Sequence, residues 1–165
     1  MIDLHAAFGP QRRIVGYDDL AQACAAQQVT VERGDMVCLH TGFTTALLQM
    51  GGDPDLEALS AVGAVLDGSD ERLLRWVDGS GLTTLIADNY AVETVPGRAR
   101  EGRHPFLPLH ELCLFKLGIH LGELWYLREL ADWLRQAHRN RFLLTAPPLR
   151  LPGAVGSPVT PVATV

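Results

Sequence analysis

The sequence predicts a single α/β domain spanning residues 1–165. Two apolar runs, MVCLH at 36–40 and LTTLIA at 82–87, read as buried strands. The stretches between and after them carry helical periodicity and capping residues. Strands that alternate with helices indicate a parallel-sheet α/β architecture. The length suits one domain, and no repeat or low-complexity linker divides it.

The elements follow in order. Ile2, Leu4 and Ala6 alternate with Asp3 and His5, as in a strand. Asp18 reads as the N-cap of an alanine-rich helix over 19–28. Residues 29–35 form a turn-rich connection to the strand 36–40. Residues 43–50 predict a helical turn, 51–54 a loop, and 55–65 weak helix. The run 67–70 caps a helix over 71–77, and the glycines at 79 and 81 end it. The second strand, 82–87, delivers Asp88, Asn89 and Tyr90 to its C-terminal end, and 94–103 is a polar loop.

The stretch 107–123 is the centre of the reading. Leu112, Phe115 and Ile119 fall on one helical stripe, and His110, Leu114 and Leu117 on another. Two apolar stripes predict a helix buried on most of its surface. Gly118 is placed to stop it. In the strand that follows, Ile119, Leu121 and Glu123 share one side. His110 and Glu123 are therefore both expected in apolar surroundings, where each needs a partner, a proton or a metal. The plainer alternative is a histidine bonded to a carbonyl and a glutamate at a helix N-terminus. Residues 124–136 predict an amphipathic helix with Leu124, Leu127, Leu130, Ala131 and Leu134 inward. Residues 142–146 predict a last strand, stopped by Pro147 and Pro148.

Net charge is -5 without a long basic run, which argues against nucleic-acid binding. The basic residues at 135–141 suit the exposed end of a helix. No apolar run is long enough to span a membrane. Cys24, Cys38 and Cys113 form no CxxC, which fits a reducing compartment, and the start lacks the pattern of a secretory signal. A cytoplasmic location is expected. There is no G-x-S-x-G elbow for a serine hydrolase and no G-x-G-x-x-G after a strand for a dinucleotide.

Four stretches, taken together and in this order, resemble the cyclase family of metal-dependent hydrolases, which includes kynurenine formamidases and isatin hydrolases. They are RGDMVCLHTGF at 33–43, the strand and loop 81–93 with Asp88, Leu109-His110 through Gly118 to Gly122-Glu123, and APPL at 146–149 with GAVGSP at 153–158. The resemblance implies a swivelling-type β/α domain assembled as a homo-oligomer, and apolar surface left bare by a shortened chain predicts self-association or a partner chain. It implies hydrolysis of an amide or lactam C–N bond of a small molecule through metal-activated water, with zinc or manganese as cofactor. By that resemblance His110 and Glu123 would be catalytic residues and metal ligands; His40 and Asp88 are separate candidates for substrate contact. Read from the residues alone, Asp88 is either a loop cap or a pocket-lining group, and His40 either a core-edge histidine or a substrate contact. His104 and His120 are expected at the surface, and Trp125, Tyr126 and Trp133 in the core or an interface.

One departure matters. The family's primary metal motif, His-x-Gly-Thr-His-x-Asp, does not occur in this sequence. The expectation is therefore an N-terminally shortened cyclase domain. The competing expectation is a non-catalytic α/β interaction subunit or degenerate fragment.

Overall fold

The computed structural model describes residues 1–97 and 104–165. The last part of the predicted loop 94–103 lies outside the described residues. Four strands form the central sheet: β1 (Ile2–Asp3), β3 (Met36–His40), β5 (Thr84–Ala87) and β6 (His120–Gly122), in the order β1-β3-β5-β6. All three pairings are parallel, with Leu39 opposite both Ile2 and Ala87 and with Ile86 opposite Gly122. All four C-terminal strand ends therefore lie along one edge, where open α/β sheets collect functional groups.

Alternation along the strands divides the core. Val37, Leu39, Leu85 and Ala87 face the main cluster with Leu20, Leu66, Leu73 and Leu109. Cys38 and Ile86 point to the other side, against Leu127, Trp125 and Phe142. Leu85 is fully buried in the central strand. Leu85→Ala is expected to cost about 3 kcal/mol, read from chemical denaturation. A cost under 1 kcal/mol would place the core elsewhere.

Helices α2 (Tyr17–Ala26) and α5 (Glu71–Ser80) pack against that cluster through Leu20, Leu73 and Val77. Asp70 caps α5 by accepting from the amides of Arg72 and Leu73, and it also accepts from Tyr17 N at 2.7 Å. Asp18 therefore lies inside the first turn of α2 and Gly16 is the N-cap, in contrast to the expected Asp18 cap. At the C-terminus of α5, Gly81 adopts φ +71°. This left-handed cap lets the helix run to Ser80, three residues beyond the expected end.

Two further differences arise from local geometry. Asp3 accepts from Ala6 N at 2.9 Å and starts a short helix, α1 (Leu4–Phe8), so the predicted first strand stops after two residues. Within 55–65 only α4 (Leu56–Ser60) is helical. Residues Ala64–Leu66 form strand β4, parallel to β2 (Arg13–Val15). Helix α3 (Phe43–Gln49) follows β3 as expected. The chain ends in a separate antiparallel hairpin, β7 (Leu143–Thr145) with β8 (Val162–Thr164).

Candidate functional site

Strand β4 carries the site's hidden part. The chain after β5 turns back beside it, with Leu66 bridged to Glu93 in parallel. This brings Glu93, a carboxylate with 1% residual exposure, against the start of the next helix. That helix opens with one α-turn, α6 (Pro108–His110), and continues as a π-helix, Glu111–Leu117. Glu93 Oε2 accepts from Leu109 N at 3.1 Å, and Oε1 accepts from His110 N at 2.9 Å. A carboxylate at a helix N-terminus satisfies amides that have no partner within the helix.

The same Glu93 Oε1 lies 2.8 Å from His110 Nδ1. On the far side of the ring, Nε2 lies 3.1 Å from Glu123 Oε1, just past the end of β6. His110 is thus held between a buried carboxylate and a partly exposed one. Its two hydrogen bonds, to Glu123 first and then Glu93, outweigh its desolvation and raise its pKa to about 9. With these two carboxylates as its partners, the ring is an imidazolium at neutral pH.

The pH consequence has a definite sign. The folded value lies above the ordinary 6.5, so the added stability is complete below that pH and is lost as pH rises through about 9. The metal-free protein is expected to lose on the order of 2 kcal/mol across this window, measured by urea titration at several pH values. His110→Ala should flatten that dependence. An unchanged slope in the variant would contradict this account of the ring.

His110 and Glu123 therefore meet, but not in the apolar surroundings that the sequence predicts. The π-helix was expected to be buried, yet Phe115 is 84% exposed and Leu114 53%. Only Cys113 is fully covered within it. A π-helix advances its side chains by fewer degrees per residue than an α-helix, so stripes drawn at α-helical spacing do not predict its buried face. Glu123 is likewise open to solvent on one side, with a side-chain exposure of 34%. Gly118 stops the helix as predicted, with φ +68°. Burial pushes the Cys113 thiol up to about 12, which makes it no nucleophile at neutral pH.

Asp88 takes the loop-cap role rather than the substrate-binding one. It is fully buried; Oδ1 accepts from Thr41 N (2.7 Å) and Thr41 Oγ1 (2.6 Å), and Oδ2 from Gly42 N (2.9 Å). It clamps the turn after β3 and has no free face for a substrate. His40 is a core histidine, only 2% exposed, with Nδ1 2.8 Å from Asp3 Oδ1. Arg135 Nη2 donates to the other oxygen of Asp3 at 3.2 Å. Burial raises the pKa of Asp3, but the hydrogen bonds from His40, Ala6 N and Arg135, with the nearby His40 charge, together hold it below the ordinary carboxylate value. His5 stands beside His40, ring centroids 5.5 Å apart. Neither His40 nor Asp88 reaches the His110–Glu123 pair through a described hydrogen bond. His104 and His120 are exposed as expected. Trp125 packs with Ile86, whereas Tyr126 and Trp133 are exposed.

Glu93 is the functional group that sequence reasoning passed over. The available signal was a lone carboxylate between apolar Val92 and Val95, where an unpaired charge is costly. Its partners lie 16 and 17 residues further on, so spacing alone does not name them.

The resemblance implies a divalent metal, and the donor set can be tested against it. Two ligands of one small ion, bound at about 2.0–2.2 Å, stand roughly 3.4 Å apart in a tetrahedral shell. His110 Nε2 and Glu123 Oε1 have nearly that separation. Glu93 behind Nδ1 completes the carboxylate–histidine arrangement that orients metal ligands. The pair fits as two donors. It is not a full set: among the described residues, no group of three His, Cys, Asp or Glu side chains is placed to hold an ion.

No family model and no curated protein matches this sequence. Solved structures do. One, described as a novel cyclase, superposes with a TM-score of 0.79 at 31% identity, covering 99% of this chain and 51% of that one. The chain has the cyclase fold. A second structure, described as a potential metal-dependent hydrolase with cyclase activity, matches with a TM-score of 0.58 at 19% identity, covering 99% of this chain and 68% of that one. That likeness supports the cyclase fold alone. The predicted α/β class with parallel sheets is thus observed, and the chain spans about half the length of the first cyclase. Among the described residues, no helix is long and apolar enough to cross a membrane.

Proposed function

We propose that this chain contributes to a metal-dependent hydrolase that cleaves an amide or lactam C–N bond, with His110 and Glu123 as two of the ion's ligands. The observation that carries this reading is the pair itself. A histidine nitrogen and a carboxylate oxygen stand 3.1 Å apart beside the C-terminal end of a parallel sheet, with a buried carboxylate fixing the ring from behind. Zinc or manganese suits such a nitrogen and oxygen set. The remaining donors would come from outside the described residues, in the same assembly.

When bound, the ion supplies polarisation of the substrate carbonyl and a more acidic water. This chain's residues supply the rest. Glu93 keeps its hydrogen bond to Nδ1, so Nε2 is the nitrogen turned outward. To bind an ion, the imidazolium must release its Nε2 proton. Glu123 has a second carboxylate oxygen and an open side toward solvent, which suits it to take a proton from water and return it to the leaving nitrogen. The substrate class that fits is a small N-formyl aromatic amine or a cyclic lactam, and the expected location is the cytoplasm. The exposed apolar residues Leu114, Phe115 and Tyr126 beside this site support a homo-oligomer or a partner chain.

The test is hydrolysis of a panel of N-formyl aryl amines and lactams by the complete assembly that contains this chain, with zinc or manganese added. Turnover that a chelator stops, and that either metal restores, is the expected result. A second reading, a non-catalytic α/β interaction subunit, draws on the donor shortfall among the described residues. It predicts no turnover with any of these substrates under either metal.

A further inference from the structure

The turn after β4 contains Asp67, Gly68 and Ser69, and Gly68 lies directly against the carboxylate of Glu93. A Cβ at Gly68 would overlap Glu93 Oε2, would stand 2.8 Å from its carboxyl carbon, and would lie 3.4 Å from Leu109 N. Ordinary side-chain contacts begin at about 3.4 Å, so the overlap cannot be absorbed by small shifts. Gly68 does not have the positive φ that would itself demand glycine, unlike Gly81 or Gly118. The missing side chain therefore serves the space, not the backbone.

That space determines where a charge sits. Glu93 has no exposed route along which to swing, being fully buried, and its carboxylate is the one that holds Leu109 N, His110 N and His110 Nδ1 together. Any side chain at 68 must displace the carboxylate from at least one of these partners. We infer that Gly68 and Glu93 form a positioning device for His110, in which the absence of a side chain at 68 lets Glu93 seat the ring and aim Nε2 at Glu123. Glu93 is a positioning residue: it touches His110 and not the face turned to Glu123. The inference rests on the reading of His110 as the acting group. It concerns how the ring is held, whichever bond the enzyme cleaves.

The experiment observes the ring itself. Imidazole nitrogen–proton spectra of the ¹⁵N-labelled, metal-free protein near pH 6 should show a His110 Nδ1–H slowed in its exchange with solvent. In Gly68→Ala that proton is expected to exchange about tenfold faster or to vanish, although Glu93 is untouched in sequence. Glu93→Gln should do the same, since a neutral amide is a weaker acceptor than a carboxylate and adds no volume. Ser69→Ala, in the same turn, should leave the signal as in wild type. Thermal unfolding of each variant separates loss of the ring's anchor from loss of the fold, and Glu93→Gln keeps the test open if Gly68→Ala does not fold. A wild-type His110 signal and exchange rate in folded Gly68→Ala, or in Glu93→Gln, would overturn the proposal. Because no metal or substrate is present, failure here is distinct from failure of the hydrolase reading.

Discussion

His110→Ala is expected to lower the proposed amide or lactam hydrolysis by about 10³-fold or more while the protein stays folded. The two halves of that expectation have separate physical grounds. The ring provides Nε2, one of the two donors that meet at 3.1 Å, and alanine removes it completely. Stability is protected because Glu93, the group that would be left buried, keeps its hydrogen bonds from Leu109 N and His110 N. Both are backbone amides that the substitution retains. The expected cost is about 1–3 kcal/mol for the lost charge-assisted hydrogen bonds. Glu123→Gln is expected to give a similar rate loss at still smaller cost, since its side chain is one-third exposed. The measurement is kcat and KM with metal present, beside a thermal melt of each variant. Turnover near the wild-type rate in either variant would remove that residue from the chemistry.

Asp88→Ala is expected to act in the opposite manner, on the fold rather than on a chemical step. The carboxylate accepts three hydrogen bonds within 2.9 Å, two from backbone amides in the turn between β3 and α3. Its removal leaves Thr41 N and Gly42 N buried without their acceptor, each at about 1–3 kcal/mol. Gly42, in the same turn, adopts φ +85° and has the His5 ring against it, so a side chain there would clash. A loss of about 3–5 kcal/mol is expected, read as a fall of roughly 10 °C in Tm. Asp88→Asn retains one acceptor oxygen and should lose less. A change below 1 kcal/mol in Asp88→Ala would mean that the turn is held by other contacts.

These two residues show how far the sequence could be read. Asp88 sits where strand patterning places it, directly after the apolar run that becomes β5, whereas Glu123, expected on the apolar side of the strand itself, lies just past the end of β6 and is partly exposed. Strands β3 and β5 were legible because fully buried strands are short, apolar and bounded by turn residues. Helix α5 was legible because Asp70 announces it. What the chain hid were features decided by distant partners. Strand β4 has three residues, and only pairing with β2 distinguishes it from the weakly helical sequence around it. The role of Asp88 depends on Thr41 and Gly42, 47 and 46 residues earlier. Glu93 gives no local sign that it will cap a helix and hold a histidine beyond the following loop. The apolar stripes at 112–119 were real in sequence, but hydrophobicity does not say whether a face is covered by its own domain. Leu114 and Phe115 are exposed in this chain.

The central claim is that His110 Nε2 and Glu123 are two ligands of a divalent ion, and calorimetric titration of the protein with zinc in buffers of different ionisation enthalpy tests it most directly. At pH 7.5 His110 begins as an imidazolium, with its pKa at about 9. Binding should therefore release close to one proton per zinc. With only two described donors, affinity should be modest, and both binding and proton release should disappear in His110→Ala and persist in His120→Ala. Zinc binding that His110→Ala leaves unchanged, or no binding at millimolar zinc, would contradict the claim.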